Sequence, residues 1–282
     1  MFGYGCLPGI VALVIWAIAT SAATYRALTR PGENQRSTWA GTNGLLGFRR
    51  PERGSVNLPS SARPVPTEGI GIELVRDWAP QTAPKGHIVL VHGIAEHSGR
   101  YERTGSLLSD SGFFVRSFDL IGFGGTGGER ADIDDWSRYH DQIQGHMVWS
   151  REQGGPLVLM GHSMGGNLAM GYALTGHPAP DLLVLTAPAM GGGAGWQRAL
   201  AGVGSKVAPT VAIANSLKGE QLSRDPAVGE AYFSDPLVYQ KTTLRLGAAL
   251  FESMDQLNES FRDLAIPTLV LQGGADIIVP PQ

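Results

Sequence analysis

Cysteine is almost missing: Cys6 stands alone among 282 residues, so the chain can form no internal disulfide framework and no thiolate metal cluster. A basic excess is missing too. Lys and Arg number 22 against 25 Asp and Glu, a net charge of −3, which supplies no positive field to draw a nucleic acid. Charged residues make up only 17% of the chain and hydrophobic ones 43%, the balance of a chain that buries a large core. No Lys or Arg precedes the apolar run from Leu7 to Ala23, which argues against a standard signal n-region. Histidine is absent after His177.

What is present in quantity is glycine, 39 residues, which suits a fold with many strand-to-helix turns. The most informative of them lie in Leu157-Val158-Leu159-Met160-Gly161-His162-Ser163-Met164-Gly165-Gly166-Asn167-Leu168-Ala169. An apolar run of strand length breaks at Gly161, presents one Ser and continues at helical period, which reads as the G-x-S-x-G nucleophile elbow. The turn is so tight that the residues two before and two after the Ser must lack side chains. Ser163 is therefore the candidate nucleophile, exposed at the carboxyl end of a buried strand. Acyl transfer also needs two fixed N–H donors for the oxyanion. Met164, directly after the Ser, supplies one candidate; Ile94, in the loop after the buried strand His87–His92, supplies the other.

The remaining chain is read in order. Residues 1–30 carry the apolar segment, at the lower edge of the length that spans a bilayer. Arg26, Arg30 and Arg36 follow it and favour an uncleaved membrane anchor, with a cleaved signal peptide and secretion as the alternative. Residues 31–68, rich in Pro, Gly, Ser and Arg, read as a linker, and the folded domain spans 69–282. Gly122, Gly124 and Gly127 form a formal G-x-G-x-x-G but do not open into a helix, so they read as a turn beside the cleft rather than a dinucleotide site. Residues 191–261 show no strand signal and read as a helical cap over a greasy pocket. Asp276 follows the strand Pro267–Gln272, where a triad in the order Ser, Asp, His places its orienting carboxylate.

Taken together, His92-Gly93-x-x-Glu96-His97-Ser98-Gly99-Arg100-Tyr101, Gly161-His162-Ser163-Met164-Gly165-Gly166, Gly274-Ala275-Asp276 and the stretch from Asp119 to Arg130 resemble the monoacylglycerol lipase family of α/β-hydrolases. Ser223-Arg224-Asp225-Pro226 and Ser234-Asp235-Pro236-Leu237-Val238 resemble its cap region. The resemblance implies an α/β fold with a mostly parallel central sheet flanked by helices. It implies hydrolysis of a lipid ester through an acyl-enzyme, without metal or organic cofactor, with Ser163 and Asp276 catalytic and Ile94 and Met164 as oxyanion donors. For Glu96 and Arg100 it implies a place at the polar end of the substrate pocket; an ion pair that only holds the loop is the other reading. The family's catalytic His lies beyond the Asp, which places it past Gln282, so the expectation is a chain cut short before its base, with little turnover of its own. A lysophospholipase, a general carboxylesterase and a non-catalytic lipid-binding protein are the alternatives. Membrane association is expected through residues 7–23 and through the cap.

Overall fold

Short apolar runs bounded by Gly, Pro and Asp pair into one seven-stranded sheet in the computed structural model, which describes residues 60–215 and 217–281. Its strands are β1 (Ser61–Thr67), β2 (Gly71–Trp78), β3 (His87–Val91), β4 (Phe114–Phe118), β5 (Leu157–His162), β6 (Leu182–Thr186) and β9 (Thr268–Leu271), in the order β1-β2-β4-β3-β5-β6-β9. From β4 to β9 all pairings are parallel, while β1 and β2 add antiparallel strands at one edge. The helices are α1 (Glu102–Asp110), α2 (Ser137–Glu152), α3 (Met164–Leu174), α4 (Gly195–Val207), α5 (Gly219–Leu222), α6 (Pro226–Ser234) and α7 (Leu244–Ser260).

Every residue of β3 and β6 is buried, as a parallel sheet covered on both faces requires. Alternate side chains feed two cores. Val89, Val91, Leu159, Leu183 and Leu185 meet Ile143 and Met147 of α2 and Leu168 of α3 on one face. Ile88, Leu90, Val158, Met160 and Val184 meet Trp78 and Leu108 of α1 on the other.

The folded unit starts ahead of the expected boundary at residue 69, because β1 occupies Ser61–Thr67, part of the stretch read as linker. Its Pro64 and Pro66 hide the strand signal. They sit at alternate positions opposite Leu74 and Ile72, so both missing N–H groups fall on the open edge. The cap differs from expectation in one respect: β7 (Ala212–Ala214) pairs with β8 (Lys241–Thr243) in a small antiparallel ribbon. Three residues a side are too few to show a period.

Polar contacts tie the cap to the sheet domain. At its base, Thr243 donates from its backbone N–H and its hydroxyl to Ala131 O, both at 3.1 Å, and Arg245 pairs with Asp132. Over the elbow, Ser253 of α7 donates to Asn167 Oδ1 of α3 at 2.7 Å. Among the described residues no helix is long and apolar enough to cross a membrane. The expected anchor at residues 7–23 lies outside the described residues.

Candidate active site

β5 ends at His162 and α3 begins at Met164, so Ser163 alone makes the turn between them. Its φ of +53° and ψ of −119° belong to a region that L-residues rarely enter. Such a conformation costs of order 1–3 kcal/mol and persists only where the surroundings over-determine it. Here Ser163 N–H donates to Thr186 O at 3.0 Å, and Ser163 O accepts from the N–H groups of Gly166, Asn167 and Ala189 at 2.9, 3.0 and 2.9 Å. The flanking glycines are forced by close approach. A Cβ on Gly161 would lie 2.2 Å from Gly165 O, and one on Gly165 2.3 Å from Val91 O.

The loop after β3 lies directly against the nucleophile: a Cβ on Gly93 would sit 3.1 Å from the Ser163 Cβ. Its peptides are pinned from below. Gly93 N–H donates to Glu96 Oε1 at 2.7 Å. His92 Nε2 accepts from Leu120 N–H at 2.9 Å, so the proton resides on Nδ1, which donates to Gly93 O at 2.7 Å. Full burial lowers the His92 pKa and keeps the ring neutral. In a trans peptide the N–H opposes the C=O, so this bond turns the Ile94 N–H away from the His92 ring. Met164, the other candidate donor, opens α3, where the helix's first N–H groups lack intrahelical partners.

Glu96 has both carboxylate oxygens engaged. Oε1 accepts from Gly93 N–H and from the Tyr101 hydroxyl at 2.6 Å, and Oε2 faces Arg100 Nε at 3.3 Å. Burial pushes its pKa up, but His162, His92, Tyr101 and Arg100 outweigh that and leave it below the usual range. The Tyr101 hydroxyl is shifted far up, by burial first and by the Glu96 charge second. Of the two readings of Glu96 and Arg100, the ion pair holding the loop is the one visible in the geometry.

Asp276 follows β9. Its Oδ1 accepts from the N–H groups of Ile278 and Val279, both at 2.9 Å, and Gln272 Nε2 lies 3.5 Å from Oδ2. β9 reaches the elbow through two bonds: Ala187 N–H donates to Leu271 O at 2.8 Å, and Ala189 N–H to Ser163 O at 2.9 Å. The fold thus brings Ser163, Met164, Ile94 and the Asp276 loop to the carboxyl end of one sheet.

Each of the chain's seven histidines is placed elsewhere. His87 opens β3 at the opposite end of the sheet, and His92 holds Gly93. His97 Nε2 bonds Asp235 Oδ2 at 2.8 Å, and His162 Nδ1 lies 3.0 Å from both oxygens of Thr186. His146 pairs with Glu73, and His140 and His177 lie near each other, with the His177 ring stacked on Tyr172. Among the described residues no ring nitrogen is within hydrogen-bond distance of the Ser163 hydroxyl.

The glycine-rich stretch is a turn whose compactness explains its composition. Asp119 receives Ser98 N–H and Gly125 N–H, both at 2.8 Å, and a Cβ on Gly124 would collide with that carboxylate. No group of three or more His, Cys, Asp or Glu among the described residues is arranged to hold a metal ion. The sequence marks His92 only as a packing or hydrogen-bonding residue and assigns Tyr101 and Asn167 no role; the structure gives each a bond that supports the loop, the elbow or both.

Comparison with known proteins agrees with this geometry. Residues 82–282 match the family described as serine aminopeptidase, S33. The chain is 31% identical over 217 residues to a monoacylglycerol lipase from Mycolicibacterium smegmatis, covering 74% of this chain and 77% of that protein. It is 30% identical over 208 residues to the human monoglyceride lipase, covering 71% and 68%. A crystal structure of Paleococcus ferrophilus monoacylglycerol lipase superposes with a TM-score of 0.67 at 33% identity, covering 73% and 79%. The chain belongs to the serine aminopeptidase S33 family, as a monoacylglycerol-lipase-like serine α/β-hydrolase.

Proposed function

We propose that this protein hydrolyses the ester of a monoacylglycerol through an acyl-enzyme on Ser163. The observation that carries the reading is the Ser163 backbone, held at φ +53° against Gly93 by bonds that no ordinary loop serine needs. The names borne by its relatives supply the substrate class. In the proposed reaction Ser163 Oγ attacks the ester carbonyl carbon. The oxyanion receives the N–H groups of Ile94 and Met164, glycerol departs with a proton, and water then releases the fatty acid. A general base takes the hydroxyl proton and returns it to the departing glycerol, and the role proposed for Asp276 is to orient that base.

The cap supports the membrane side of the reading. Trp196, Leu200, Val203 and Val207 of α4 recur at the spacing of one helix face and are exposed, Val207 at 80% and Trp196 at 66%. Such a stripe suits docking on a lipid surface that supplies the substrate.

The test is release of fatty acid from monoacylglycerol, lysophospholipid and short water-soluble esters. The expected result is turnover that favours monoacylglycerol over the other two substrates. Preference for short soluble esters, or release that persists in Ser163→Ala, overturns the reading.

A further inference from the structure

The loop that carries Ile94 is held on two sides, and only one of them belongs to the sheet domain. Below it, His92, Glu96 and Asp119 bond Gly93 and Ser98. Above it stands the end of cap helix α6. Tyr232 is buried and its hydroxyl reaches Ala95 O at 3.4 Å. Its ring lies under the Arg100 guanidinium, 4.7 Å from the centroid. One turn on, Asp235 accepts from His97: Gly99 N–H donates to His97 Nδ1 at 3.2 Å, which leaves the proton on Nε2 to donate to Asp235 Oδ2 at 2.8 Å. Ala95 itself sits at φ +61°, fully buried, in a conformation that needs support from its surroundings.

We propose that Tyr232 and Asp235 are positioning residues of the oxyanion hole: by gripping Ala95 and His97 from the cap, they fix the peptide that presents the Ile94 N–H. The inference rests on the reading of Ser163 and Ile94 given above. It makes the cap part of the chemical step as well as a cover over the pocket, because the grip forms only when α6 is seated. The contacts join residues more than 130 positions apart, Ala95 with Tyr232 and His97 with Asp235.

The experiment is fluorophosphonate labelling of Ser163, resolved into a binding constant KI and a maximal rate kinact, in the full chain and in Asp235→Asn, His97→Asn, the double variant and Tyr232→Phe. Displacing an oxyanion donor by a fraction of an ångström slows the reaction without changing how the probe binds, so kinact is expected to fall about tenfold at unchanged KI. The double variant is expected to be no slower than either single one, because both remove the same bond. Tyr232→Phe keeps the ring on Arg100, and thermal melting of each variant identifies any that fail to fold. An unchanged kinact, or a weakened KI with normal kinact, means that the contacts only shut the cap and overturns the proposal. No labelling of the parent chain overturns the reading of Ser163 itself, and this inference with it.

Discussion

At the scale of the residue, the site depends on positions that tolerate no added atom and on charges that tolerate no lost partner. Gly165 lies 2.3 Å, measured from an added Cβ, from one carbonyl oxygen and 2.4 Å from the next, both backbone atoms that cannot rotate aside. Gly165→Ala is expected to destabilise the fold by at least about 1–3 kcal/mol and to abolish Ser163 labelling, read by denaturant melting and by probe incorporation. Glu96 is a different case. Glu96→Ala leaves the buried Gly93 N–H without an acceptor, a cost of about 1–3 kcal/mol, and strands Arg100 beside it. The expected outcome is a lower melting temperature together with slower labelling, whereas a substrate-contact role alone would spare the melting temperature.

At the scale of the element, the run from β5 through Ser163 to α3 was legible because its glycines, its apolar strand and its helix all depend on short-range sterics. The same holds for β3 and its loop. β1 was not legible, since two prolines erase the alternation and only pairing with β2 makes a strand of it. The β7–β8 ribbon is too short to carry a period, and the grip of α6 on the loop after β3 joins residues no local pattern relates. Packing between α2 and α3 yields a prediction of its own. His140 lies buried against Gly171, and burial first, with His177 second, drops its pKa from 6.5 to about 4. The folded state then binds this proton less readily than the unfolded chain, so stability is held above pH 6.5 and falls as pH drops toward about 4, by up to about 3 kcal/mol. His140→Leu is expected to flatten that acid limb in melts run between those two pH values.

At the scale of the whole molecule, the sheet domain supplies the nucleophile and the cap supplies the environment. Its apolar α4 stripe faces outward, while Asp132, Asn167, Ala95 and His97 tie it back to the domain. If α4 seats on a lipid surface, Val203→Glu with Val207→Glu is expected to lower binding to phosphatidylcholine vesicles, measured by flotation, while the rate on a soluble ester is unchanged. Unchanged flotation would place the docking surface elsewhere. The fold class was readable from the chain alone, whereas the places of the seven histidines, each away from the Ser163 hydroxyl, came only from the structure.

The claim on which the rest depends is that Ser163 is the nucleophile. Intact-mass analysis of the chain after treatment with a fluorophosphonate tests it most directly. The account predicts the addition of one phosphonyl group, located on the peptide that carries Ser163 and lost in Ser163→Ala. Labelling that survives that substitution, or that falls on another residue, would contradict it.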